Sequence, residues 1–85
     1  MPRTLTIQRS TVPSAERANY RERLRALRSH YAAASCRFWV FEEASLPGAF
    51  IEFTEADDEQ TLIVAQANAP HKILDPSRRY QEVEL

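Results

Sequence analysis

The stretch CRFWVFEEASLPGAFIEFTE, residues 36–55, decides the fold. Phe38, Trp39, Val40 and Phe41 are consecutive large apolar residues, and Phe50, Ile51 and Phe53 follow beyond Pro47-Gly48, a strong turn signal. Two strands around a turn, about 36–43 and 49–55, account for the pattern. A strand pair wetted on one face alternates apolar with polar residues. This pair does not, so both of its faces need covering.

Working outward, TLTIQRSTV (4–12) alternates, with Leu5 and Ile7 on one face and Thr4, Thr6, Gln8 and Ser10 on the other, which predicts a strand. Pro13-Ser14 ends it, with Ser14 placed to cap a helix and Glu16 in its first turn. That helix runs to about Ala34, because Tyr20, Leu24, Leu27, Tyr31 and Ala34 fall at helical spacing. Off the stripe lie Arg17, Arg21, Arg23, Arg25 and Arg28, which read as a solvated face or as a docking surface for an acidic partner. Asp57 and Asp58 open a second helix, EQTLIVAQANA, which Pro70 ends. The loop HKILDPSR leads to a final strand, RYQEVEL.

The order is βαββαβ, an α+β ferredoxin-like arrangement with two helices on one face of an antiparallel sheet. A single domain over 1–85 is expected, near the lower size limit for one core, and self-association is a common remedy at that size. A register that sets Phe38 opposite Phe53 and Val40 opposite Ile51 gives a wholly apolar surface to pack under the helices with Leu5, Ile7, Leu24 and Leu27. Shifting it by one residue places Glu52 in the helix-packed core, where an unpaired carboxylate is costly. The favoured register leaves Arg37, Trp39, Phe41, Phe50, Glu52 and Thr54 on the far face. Aromatics bury ~150–250 Å² each, and contiguous exposed ones mark an interface or a ligand groove. A twofold homodimer, sheet against sheet, would enclose a pocket lined by Trp39, Phe41, Phe50 and Thr54. Glu52 would serve there as general base and Arg37 as the group that orients an anion; the plainer reading is a neutralising ion pair between the two.

The net charge of −1 conceals an asymmetry: residues 1–40 carry eight Arg against two Glu, and residues 41–85 three basic against ten acidic side chains. Attraction between the halves explains that split, within one chain or across a dimer. Nucleic acid is not an expected partner, since the third strand is acidic rather than basic and glycine-bearing. The single glycine, Gly48, excludes a glycine-rich phosphate loop, and no cofactor is expected. His30 and His71 lack partners at ligand spacing, so no metal site is expected. Lone Cys36 fits a reducing compartment. No apolar run approaches the ~20 residues needed to cross a bilayer, the N-terminus lacks a signal-peptide core, and a cytoplasmic location is the expectation.

SCRFWVFEEASLPGAFIEFTEADDEQTL, residues 35–62, resembles the antibiotic-biosynthesis-monooxygenase-type branch of the dimeric α/β-barrel superfamily. The shared features are an aromatic-rich strand, an acidic Pro-Gly hairpin turn, and an aliphatic strand running into an acidic helix start. The resemblance implies a barrel-like homodimer that binds a small hydrophobic or aromatic molecule. Cofactor-independent monooxygenase or isomerase activity is its enzymatic form. The chain has Thr54 and Ala56 where the branch often carries Glu and Trp, and Ala65 where it often carries His. A non-enzymatic dimeric module, with a filled core and a basic helix that docks an acidic partner, is the competing expectation.

Overall fold

The computed structural model describes residues 2–73 and 78–85. Strand β1 (Thr4–Thr11) leads through a 3-10 turn (Ser14–Glu16) into helix α1 (Arg17–Ala33). Strands β2 (Arg37–Glu42) and β3 (Ala49–Ala56), helix α2 (Glu59–Ala67) and strand β4 (Tyr80–Gln81) follow. The sheet order is β2-β3-β1-β4, with every neighbouring pair antiparallel. That is the ferredoxin-like topology. No helix among the described residues is long and apolar enough to cross a membrane.

Local chemistry explains the element ends. Ser14 makes no side-chain cap hydrogen bond, contrary to the sequence expectation, because the 3-10 turn begins at Ser14 itself, after Pro13. Helix α1 stops at Ser35, whose φ of 63° is left-handed, and Cys36 N–H returns to the Tyr31 carbonyl at 2.8 Å. This closure satisfies a terminal carbonyl. Asp58 caps α2 by accepting from Thr61 N–H at 2.8 Å. In the hairpin, Ala49 N–H bonds the Leu46 carbonyl at 3.1 Å around Pro47 and Gly48. Gly48 has φ +94°, the left-handed value that a type II turn demands at this position.

The β2–β3 register differs from the expectation by one residue: Phe38 stands opposite Thr54, Trp39 opposite Phe53, and Val40 opposite Glu52. Phe38 and Val40 keep the predicted helix side, but Ile51 and Phe53 move to the open face, and Phe50, Glu52 and Thr54 turn toward the helices. Leu5 and Ile7, expected beneath the helices, also lie on the open face, since β1 buries Thr4 and Thr6 instead. The hairpin sets this shift, because Glu43 N–H bonds the Ala49 carbonyl and so fixes every rung behind it.

The core lies between sheet and helices, built from Leu27, Tyr31, Cys36, Ala56, Leu62 and Ala65, with Phe38 packed against it. Tyr31 and Phe38 stack with ring centroids 5.5 Å apart. The last strand is shorter than expected: only Tyr80 and Gln81 pair with β1, and residues 82–85 follow it exposed. The predicted loop over 71–78 lies partly outside the described residues.

Candidate functional site

The alternation of β1 and β3 brings polar side chains together beneath the helices. Gln8 is opposite Glu52 and Thr6 opposite Thr54. Glu52, Thr6 and Thr54 are all buried. Burial of such groups is tolerable only where they find partners, and the helices supply two. From α2, Gln66 Nε2 donates to Thr6 Oγ1 at 2.8 Å. From α1, the Tyr20 hydroxyl donates to Glu52 Oε2 at 2.7 Å. Tyr20 is itself held by Phe50, ring centroids 4.8 Å apart, and by the Arg23 guanidinium, 5.6 Å from its ring.

A cleft of about 190 Å³ opens beside this pair, lined by Gln8, Ser10, Tyr20, Arg23, Leu24 and Glu52 among others, with His71 and Lys72 also on its wall. Only 6% of Glu52 is exposed, yet it contributes to that lining. Its second oxygen, Oε1, receives no hydrogen bond from the described residues. The site therefore offers one fixed acceptor on a partly apolar wall. Burial, reinforced by the hydrogen bond to Glu52, holds the Tyr20 hydroxyl well above the usual phenol range, so it stays protonated and acts as donor. Burial likewise pushes the Tyr31 hydroxyl up to about 12. The Tyr31 hydroxyl has no hydrogen-bond partner among the described residues, and Tyr31 is 1% exposed. A wider hollow of about 520 Å³ lies at the hairpin end of the sheet, between Arg9, Phe41, Glu42 and Ile51, but no buried polar group anchors it.

The residues singled out from the sequence divide between the two faces. Phe50 and Thr54 share the helix side with Glu52. Trp39 and Phe41 lie on the open face, 41% and 57% exposed, where Phe41 meets Phe53 edge-on at 5.8 Å. Arg37 is also on that face and does not meet Glu52. It binds Glu55 at 2.5 Å and Asp57 at 2.8 Å, and Arg3 joins Glu55 at 3.3 Å. Those hydrogen bonds, with Asp57 first, hold the Arg37 guanidinium above its ordinary range. His30 uses its ring nitrogen on the Ala65 carbonyl at 2.7 Å, a tie between the helices. No group of three His, Cys, Asp or Glu side chains suited to a metal occurs among the described residues.

Sequence reasoning passed over Gln8, Ser10 and Gln66 as site residues and treated Tyr20 as core packing. The signal was present in β1, whose polar face is as regular as its apolar one. Comparison with protein-family models, curated proteins and solved structures gave no match for this chain.

Proposed function

We propose that the protein binds a small aromatic molecule with an acidic proton, a phenol or enol, in the cleft between sheet and helices, and that Glu52 takes up that proton. The observation that carries this reading is a buried carboxylate in a cleft, with one oxygen held by Tyr20 and the other without a hydrogen bond from the described residues. Polar groups converging on an apolar wall are the common composition of small-molecule sites. A base held within hydrogen-bond reach of the substrate proton is the first requirement of acid–base catalysis. Proton removal opens both cofactor-independent isomerisation and cofactor-independent oxygenation. The resemblance of residues 35–62 to the antibiotic-biosynthesis-monooxygenase-type branch supports that pairing. The working assembly in this reading is a homodimer, its two sheets stacked through the open apolar face as a barrel.

A thermal-shift screen of small phenols and enols tests the binding. Hits should raise the melting temperature of the native protein, and Glu52→Gln should abolish both that shift and any turnover while the protein remains folded. Hits that bind Glu52→Gln equally well would end this reading.

A second reading, a non-enzymatic module whose basic helix docks an acidic partner, is favoured by the exposed row of Arg21, Arg25 and Arg28 on α1.

A further inference from the structure

Strand β2 forms one edge of the sheet, and no strand among the described residues pairs with its outer rim. The Glu43–Ala49 hydrogen bond fixes which rungs face β3. In an antiparallel ladder alternate residues bond inward. Arg37, Trp39 and Phe41 therefore turn their backbone groups to β3, while Phe38, Val40 and Glu42 turn theirs outward. The side chains of Phe38 and Val40 face the helices and, with Leu24, floor a groove of about 240 Å³ walled by Arg25 and Arg28. Arg25 has one exposed ion pair, with Glu22, and Arg28 has none among the described residues.

We infer that this edge takes up an extended peptide segment of a partner protein as an added strand, one that alternates acidic and apolar side chains. The inference rests on the second reading above and gives it a place and a chemistry. Backbone pairing would come from Phe38, Val40 and Glu42. Alternate side chains of an added strand point to opposite faces. One set lies over the groove, where an acidic side chain lays its stem on Leu24 and Val40 and its carboxylate against Arg25 and Arg28. The other set joins the apolar layer of Trp39 and Phe41. Strand addition of this kind draws affinity from the main chain and specificity from alternate side-chain pockets. Charge complementarity selects an acidic partner, because the rim holds two guanidinium groups. The chain's own residues 82–85, EVEL, show the same alternation, but Glu82 is committed to Arg3, by its backbone N–H at 2.8 Å and by its side chain.

The probe is a short fluorescent peptide of alternating glutamate and valine, titrated against the full chain by anisotropy. It should bind, bind more weakly as salt is raised, and outcompete a lysine–valine peptide. Arg25→Glu with Arg28→Glu should weaken it at least about tenfold, with the helical circular dichroism unchanged. Val40→Pro, which removes an outward N–H from an edge strand, should abolish binding. Should that variant fail to fold, N-methylating alternate amides of the peptide tests the same pairing from the other side. Two results overturn the proposal: equal binding of the lysine–valine peptide, or full binding of both N-methylated registers. Truncation after Glu82 that strengthens peptide binding would assign the groove to the chain's own tail, and would overturn it too. Glu52→Gln should leave peptide binding untouched, so failure here and failure of the cleft reading are separable.

Discussion

The Tyr20 hydroxyl on α1 donates a 2.7 Å hydrogen bond to Glu52 Oε2 on β3, joining the first turn of a helix to the middle of the sheet. This contact makes a carboxylate acceptable beneath the helices, and no described residue donates a hydrogen bond to the other carboxylate oxygen. Tyr20→Phe keeps the ring against Phe50 but removes the donor. A buried hydrogen bond to a charged acceptor is worth about 1.5–3 kcal/mol. The variant should lose roughly that much stability in urea denaturation. The double variant with Glu52→Gln should lose less than the sum of the singles, since the two side chains act as one unit.

Alkaline pH should act through the same tyrosines. Both hydroxyls have folded-state values above the ordinary 10.0, Tyr20 chiefly through burial and Tyr31 raised by burial to about 12. A group raised in the folded state contributes stability that is complete below its unfolded value and is lost as pH climbs through the folded one. Unfolded tyrosines release protons from pH 10 upward while the folded ones retain them. Unfolding free energy should therefore stay level in this respect below pH 10 and fall progressively above it. Tyr20→Phe should flatten part of that fall, and urea titrations on either side of pH 10 measure it.

How far this was legible in the sequence turns on one rung. The element order, the α1 stripe and the Pro-Gly turn were readable because each depends on local spacing. Val40 opposite Glu52 was not. An apolar pattern alone favours Phe38 against Phe53, because it counts a carboxylate under the helices as unpaired. That cost disappears only when α1 brings Tyr20 across, a contact between residues distant in sequence. For the same reason the split of β1 into Thr4 and Thr6 against Leu5 and Ile7 was visible, but which side the helices cover was not. Gln66 reaching Thr6 makes the polar side a stable floor. The expected register sets Arg37 and Glu52 on one face, whereas the observed register puts them on opposite faces.

Gly48 gives a sharper backbone test. A Cβ at this position would stand 2.9 Å from the Val12 carbonyl oxygen and 3.3 Å from an Arg17 guanidinium nitrogen. Its φ of +94° disfavours any side chain. The Gly48 carbonyl also accepts from Val12 N–H at 2.8 Å, tying the hairpin to the end of β1. Gly48→Ala should cost about 1–3 kcal/mol from backbone strain alone. The guanidinium can swing away, but the carbonyl cannot, so the chemical-denaturation midpoint should fall while far-UV circular dichroism is retained.

The open face supplies the last prediction. Trp39, Phe41, Ile51, Phe53, Leu5 and Ile7 form an apolar surface on the side away from the helices. Arg3, Arg37 and Glu55 gather at one end of it in ion pairs. Contiguous aromatic surface of this kind is seldom left to water by a monomer. In the proposed homodimer, Trp39 is buried against the second sheet. Trp39→Glu should place a carboxylate in that layer and give a monomer by sedimentation equilibrium, while the native chain gives a dimer at micromolar concentration. The helical circular dichroism should persist, because Trp39 is 41% exposed and lies on the face away from the helices. A native monomer would remove the stacked-sheet assembly from the proposal but leave the Glu52 cleft intact, since every side chain identified in that cleft belongs to one chain.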